Sequence, residues 1–264
     1  MKKLNKNKKV ILVTGASRGL GRVLSEKLSS MPENIVYAGV RKISQAPLHT
    51  KPVHLDLTDD ESIIACRKQI INEENRIDYI VHNAGIAYYG PVDAMTTAEV
   101  QTLYQTNVFG PIRLTQLFLQ DMRSQREGKI LFISSIRGVE SYAYMGMYSG
   151  SKAAIEAIAF DWAVTLSKWN IEVSVVQPGP MDTGIQLFHG THFDNFEENP
   201  YLPYKSVKIE FEKTELAANT IISHLLRDSV PFRVQTSPDA HEVVKKHLRD
   251  PSGMKWLLEQ KSHL

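Results

Sequence analysis

The sequence predicts an α/β protein, a single-domain doubly wound, mostly parallel sheet with helices on both faces. Three observations predict it. Short β-branched runs alternate with stretches of helical spacing over the first two thirds of the chain, as right-handed βαβ crossovers require. The strand-like runs are almost continuously apolar, the pattern of strands buried on both faces. At 264 residues the chain can bury a full core, and no composition break, linker or repeat divides it.

Taken in order, KVILVT (9–14), NIVYAGV (34–40), PVHLD (52–56), IDYIVHN (77–83), GKILFIS (128–134) and IEVSVVQ (171–177) read as strands. Residues 19–31, 59–75, 96–125 and 149–169 between them carry apolar positions at helical spacing. After QPGPMDT the pattern changes. Residues 184–205 mix aromatics, histidines and two prolines without a clean period, and a loop of that length inside a compact domain is usually functional. Helix resumes near 214–227, PFRVQT (231–236) supplies a last strand, and DAHEVVKKHL opens a C-terminal helical extension over 239–264. Residues 1–8 read as a flexible basic tail.

Composition narrows the function classes. With 42% hydrophobic and 23% charged residues the chain reads as globular rather than disordered. The net charge of +2 comes from Lys2, Lys3, Lys6, Lys8 and Lys9; without them the balance turns slightly acidic, so no nucleic-acid surface is indicated. Cys66 is the single cysteine, which excludes an internal disulfide, suits a reducing compartment and reads as a buried inert thiol. The apolar run after the basic start is too short for a signal peptide, and no stretch approaches a membrane span. A cytoplasmic location is expected. His189 and His192 lie in the loop, and their spacing alone does not make a metal site, so no metal is expected.

Strand one runs straight into TGASRGLG and then a helix. Glycine permits a tight turn and a close backbone approach, while the helix N-terminus offers free amides and a positive dipole end. This is a loop suited to a dinucleotide pyrophosphate, with Gly15, Ser17, Arg18, Gly19, Leu20 and Gly21 as the candidate contacts. The spacing is G-x-x-x-G-x-G, and no Gly-Lys-Ser/Thr follows, which disfavours a nucleotide-hydrolysing loop. Cofactor choice is made near the end of strand two, where a carboxylate holds a ribose hydroxyl and an arginine accommodates a 2′-phosphate. Here that strand ends in GVRK, giving Arg41 and Lys42 and no carboxylate, with Arg18 as a second cation in reach. NADP(H) is therefore expected in preference to NAD(H).

In order and spacing the motifs resemble those of the short-chain dehydrogenase/reductase family, over essentially the whole chain. They are TGASRGLG, Asp56 in HLDLTD, NAG at 83–85, NVFG at 107–110, SS at 134–135, Tyr148 with Lys152, and PGPMDT at 178–183. The resemblance implies a Rossmann fold and a catalytic tetrad of Asn107, Ser135, Tyr148 and Lys152. It also implies that Asp56 and Leu57 contact the adenine, that Asn83, Ala84 and Gly85 line the cofactor cleft, and that Pro178, Gly179 and Thr183 hold the nicotinamide side. Tyr148 and Lys152 would touch the cofactor as well. Of the two adjacent serines, Ser135 lies thirteen residues before the tyrosine, the family's usual spacing, and Ser134 would face the other way. The resemblance further implies a homodimer or homotetramer packed through 96–125 and 149–169.

The Tyr148 and Lys152 spacing has a physical logic. Residues i and i+4 share a helix face about 5 to 6 Å apart, so the ammonium can stand beside the ring and draw the phenol's pKa of about 10 toward the working range. In the expected reaction Ser135 and Tyr148 hydrogen-bond a ketone oxygen, Tyr148 donates its proton, and Asn107 holds a water linking Lys152 to solvent. A narrower likeness, in VYAGVRK, PGPMDT and LRDPSGMKW, is to the estradiol-type hydroxysteroid dehydrogenases and retinol dehydrogenases. It implies a lipophilic alcohol or ketone; the Met-, Phe- and Tyr-rich stretches 136–147 and 184–205 suit an apolar pocket and equally suit sealing the core. The rival reading from another class is a non-catalytic dinucleotide-binding regulator or scaffold; a plain partner-binding α/β domain would bind no dinucleotide at all. An epimerase or dehydratase of the extended relatives is disfavoured by the loop spacing and the short C-terminal region.

Overall fold

The computed structural model describes residues 8–183, 185, 187–189 and 211–249. Most of the basic tail, most of the 184–205 loop including His192, and residues 250–264 of the C-terminal extension lie outside the described residues. Ten strands and α-helices precede the fifth helix: β1 Lys9–Thr14, α1 Gly19–Ser29, β2 Asn34–Val40, β3 Lys51–His54, α2 Asp60–Glu74, β4 Tyr79–His82, β5 Ala87–Tyr89, α3 Thr97–Tyr104, α4 Gly110–Gln125 and β6 Gly128–Ile133 come before α5 Gly146–Thr165. After α5 come β7 Ile171–Gln177, β8 Leu187–His189, α6 Thr214–Leu225, β9 Arg233–Gln235 and α7 Pro238–Leu248.

Seven strands form one sheet in the order β3-β2-β1-β4-β6-β7-β9, and every neighbouring pair is parallel. Alternation along β1 shows why both faces are buried: Val10 and Leu12 join one apolar cluster, Ile11 and Val13 the other. The first cluster packs the sheet against α2, α4 and α5 through Ile63, Phe118 and Ile155; the second packs it against α1 and α6 through Leu24 and Ile221. Each fully buried aliphatic side chain of this kind stabilises the fold by roughly 1.5–3 kcal/mol. The chain order reverses at β1, whose neighbours are β2 and β4, and the crevice of a doubly wound sheet opens beyond the strand ends at that point.

Three local features depart from the sequence reading. The predicted helix 96–125 starts with a Thr96–Glu99 capping box but changes to π-helical geometry over Gln105–Phe109 before α4. Pro111 has no amide hydrogen, so a regular α-helix would leave the Asn107 carbonyl without its donor, and Gly110 admits the Leu57 backbone so closely that a Cβ would collide with it. The helix predicted from 149 begins at Gly146, which puts Tyr148 inside its first turn. Within the predicted loop, Leu187–His189 pairs in parallel with β5 as a separate two-stranded sheet, a long-range pairing that no local pattern announces.

Candidate active site

A cleft of about 530 Å³ lies over the C-terminal ends of β1, β2, β4, β6 and β7. Its floor at one end is the turn from β1 into α1. Gly15 and Gly19 have φ of +67° and +54°, the left-handed region that glycine adopts freely. A Cβ on Gly15 would stand 2.8 Å from the Ala84 Cα, one on Gly19 would collide with the Thr183 carbonyl, and one on Gly21 with Asn83 and the Gly15 carbonyl. The backbone is therefore drawn in where side chains cannot fit. No side chain caps the start of α1, and its first turn has no acidic residue, so its amides face the cleft uncompeted. Those features fit a pyrophosphate group. The turn is stapled to β4: Thr14 Oγ1 accepts from the Asn83 and Ala84 amides at 3.1 and 3.0 Å, and Asn83 Nδ2 donates to the Thr14 carbonyl at 3.0 Å. The Asn83 side chain thus holds the cleft's shape.

Along one wall, Arg18 and Arg41 are exposed and border the cleft together with Ser17, Leu20 and Gly21. Asp56 and Leu57 also border it. Burial acts to raise the Asp56 pKa, but hydrogen bonds from the Thr58 amide and hydroxyl, at 2.9 and 2.7 Å, and the charge of Arg41 hold it below the usual carboxylate range. Leu57 buries its side chain in the core and accepts from Arg113 Nη2 at 2.9 Å through its carbonyl.

At the other end Ser135, Tyr148 and Lys152 meet. Tyr148 and Lys152 are only 8% and 6% exposed, and the ammonium lies 5.6 Å from the centre of the phenol ring. Lys152 Nζ donates to the Ile133 carbonyl at 2.9 Å, and burial pushes its pKa down to about 8, against the pull of the Glu156 carboxylate. Tyr148 moves the opposite way from the sequence expectation: burial raises its pKa, with a Ser135 hydrogen bond and the Arg137 charge working against the rise. The cause is withdrawal from water, which penalises phenolate and ammonium alike. Gly85 passes close by Lys152, so that a Cβ there would stand in ordinary contact with Nζ at 3.6 Å. Pro178, Gly179 and Thr183 form the far rim.

Asn107 is the predicted site residue that does not border the cleft. Its side chain is buried behind Gly85, where Oδ1 accepts from the Ile86 amide at 3.0 Å and Nδ2 donates to the Ile86 carbonyl and Ser151 Oγ at 2.9 and 3.1 Å. Ser151 in turn donates to the Tyr148 carbonyl at 2.7 Å. Asn107 therefore ties the π-helical turn to the first turn of α5. Ser134 differs from Ser135 as well: its hydroxyl points down to Glu156 Oε1 at 2.6 Å.

The family model described as short chain dehydrogenase matches residues 9–190, which carry the glycine turn, Ser135, Tyr148 and Lys152. The chain belongs to the short-chain dehydrogenase family. Among its relatives, a 3-ketodihydrosphingosine reductase of Bacteroides thetaiotaomicron is 38% identical over 66% of this chain and 65% of its own length. Retinol dehydrogenase 8 of Bos taurus is 28% identical over 93% of this chain and 86% of its own, and the human 17-beta-hydroxysteroid dehydrogenase type 1 is 27% identical over 94% and 83%. A solved short-chain dehydrogenase from Streptomyces avermitilis superposes with a TM-score of 0.83 at 29% identity, covering 97% of this chain and 96% of that one.

Two residues that border the cleft of this family member, and one buried behind it, have no role in the sequence reading. Thr14 opens the glycine loop as the first residue of its TG pair, and its role as acceptor for the Asn83 and Ala84 amides shows only in the structure. Arg137 borders the cleft beside Tyr148, stacks over Tyr142 at 4.4 Å and pairs with Glu140. Its backbone amide also donates to Ser135 Oγ at 3.1 Å. Glu156, a lone carboxylate in the apolar run AAIEAIAF, was detectable as an anomaly of pattern.

Proposed function

We propose that this short-chain dehydrogenase is an NADP(H)-dependent oxidoreductase interconverting a lipophilic ketone or aldehyde and its alcohol. One observation carries the reading: Ser135 and the buried pair Tyr148 and Lys152 share a single cleft with the glycine turn. A nicotinamide dinucleotide bound there supplies hydride or accepts it. Arg18 and Arg41, with no carboxylate at the end of β2, support the phosphorylated form.

The chain's own groups then divide the work. Ser135 and Tyr148 donate hydrogen bonds to the substrate oxygen. The raised pKa of Tyr148 keeps its proton in place near neutral pH, which suits it to protonate a forming alkoxide. Lys152, titrating at about 8, is mostly cationic at neutral pH and anchors the ribose beside the phenol. Because the Asn107 side chain is fully engaged, any water it holds for Lys152 is bound through its backbone carbonyl, the group that Pro111 cannot serve.

Met145, Ile136, Met181, Ile185 and Phe211 border the substrate end and support an apolar substrate. The names of the three relatives point to lipids: a ketosphingoid base, a retinol and a hydroxysteroid. Exposed Phe109, Phe160 and Val164 on the π-helical turn and α5 support assembly into a homodimer or homotetramer through those helices. Cys66, a buried thiol pushed up to about 12, agrees with residence in the reducing cytoplasm.

The test is a fluorescence titration of the protein with NADPH against NADH, followed by a panel of bulky and small polar carbonyl compounds. Tight NADPH binding with turnover of bulky ketones is the expected outcome. Tighter NADH binding overturns the cofactor assignment, turnover of polar sugars alone overturns the lipophilic one, and binding without turnover of any carbonyl favours the regulator.

A further inference from the structure

Glu156 sits one helical turn beyond Lys152 on α5 and is 3% exposed. A carboxylate so far from water needs partners, and it has four donor contacts from three other elements. Ser134 Oγ donates to Oε1 at 2.6 Å, Gln177 Nε2 bridges both oxygens at 2.9 and 3.0 Å, and Arg233 Nε approaches Oε2 at 3.3 Å. Gln177 is itself oriented by Gln235 Nε2, which donates to its Oε1 at 2.7 Å, and Gln235 Oε1 meets His241 Nδ1 at 3.1 Å. Gly138 makes the room, since a Cβ there would press on both Glu156 and Ser134.

The donors stand at informative places. Ser134 precedes Ser135 at the end of β6, Gln177 precedes Pro178 at the end of β7, and Glu156 shares the Lys152 side of α5. One buried carboxylate thus knots together the three segments that carry the catalytic side chains and the far rim of the cleft. The charged and titratable groups facing this region are Lys152, Tyr148 and Arg137 from above and Arg233 from the sheet edge. Arg233 is the more solvent-accessible of the ion pair's two members, at 40% against 4% for Glu156, so its charge is only partly screened: it offsets some of the carboxylate's field, and the remainder reaches Lys152.

Resting on the oxidoreductase reading, we propose that Glu156 is the positioning residue of this active site: a buried counter-charge that keeps Lys152 cationic and in register beneath Tyr148. Without it, the groups that meet the Lys152 ammonium among the described residues would be the Ile133 carbonyl and the face of the phenol ring. The direction agrees with the pull of Glu156 on the lysine, which opposes the lowering caused by burial.

The experiment follows Lys152 itself rather than turnover. In protein labelled with ¹³C and ¹⁵N at lysine, the Lys152 side-chain signal is assigned by its absence in Lys152→Met and titrated in wild type, Glu156→Gln and Arg233→Gln. Expected are a wild-type midpoint near 8, a downward shift of about one unit or more in Glu156→Gln, and an upward shift in Arg233→Gln, where the competing cation is gone. Opposite signs from two lesions in one knot are not what a loss of packing produces. An unmoved midpoint in a folded Glu156→Gln protein overturns the proposal. Should that variant not fold, Arg233→Gln decides alone, and a static or falling midpoint there overturns it too. Wild-type carbonyl turnover, measured beside it, tests the oxidoreductase reading separately, because the titration needs neither cofactor nor substrate.

Discussion

At the glycine-turn end the cleft presents backbone amides and two exposed arginines, whereas at the other end it presents Tyr148 and Lys152, almost wholly withdrawn from solvent, beside a half-buried Ser135. In the proposed reading the first end recognises by shape and backbone dipoles, and its two arginines are exposed to solvent and salt screening. The second works by proton affinity, because burial has displaced the pKa of both titratable members. Damage to the two ends should therefore look different. Lesions at the glycine turn should act on binding and backbone strain; lesions at Ser135, Tyr148 and Lys152 should act on rate and pH.

The sharpest way to separate the ends is Tyr148→Phe. It removes the proton donor but keeps the ring in its apolar setting, so turnover should fall about 10²–10⁴-fold while dinucleotide affinity stays within a factor of about three. Steady-state kinetics and a binding titration on the same preparation check it. Comparable losses in both would mean that the two ends are one functional unit and the contrast is false.

Gly19→Ala is the complementary lesion. A residue with a side chain at φ +54° is strained, and its Cβ meets the Thr183 carbonyl. Stability should drop by about 1–3 kcal/mol and dinucleotide affinity by tenfold or more, read by thermal unfolding and titration. Wild-type affinity in this variant would show that the turn does not grip the pyrophosphate closely.

The smallest effect belongs to Arg41→Ala. Removing one charge-assisted bond to a phosphate should weaken NADPH about tenfold and leave NADH nearly unchanged, with the difference shrinking as salt rises. Equal weakening of both dinucleotides would move Arg41 from phosphate recognition to general support of the wall, including its hold on Asp56.

Much of this molecule was legible as pattern. The strand at 171–177 has the predicted bounds, and β1 and β2 match as well, because a strand buried on both faces must be apolar along its whole length. Tyr148 and Lys152 were legible for the same local reason, since helical spacing alone puts i and i+4 on one face. Asn107 shows the limit. The sequence marked the residue, but only the packing of the π-helical turn against Ile86 and Ser151 turns its side chain away from the cleft.

The sequence by itself determined the layered α/β architecture and the glycine turn, which depend on contacts between near neighbours or on one-dimensional periodicity, and its resemblance to the family singled out Ser135, Tyr148 and Lys152. Tertiary structure decided the rest. The upward shift of Tyr148, the downward shift of Lys152 and the knot around Glu156 arise because β6, α5, β7 and β9, distant along the chain, close over the same few ångströms and exclude water there. Desolvation is a property of the whole surrounding volume, and no local stretch of residues encodes it.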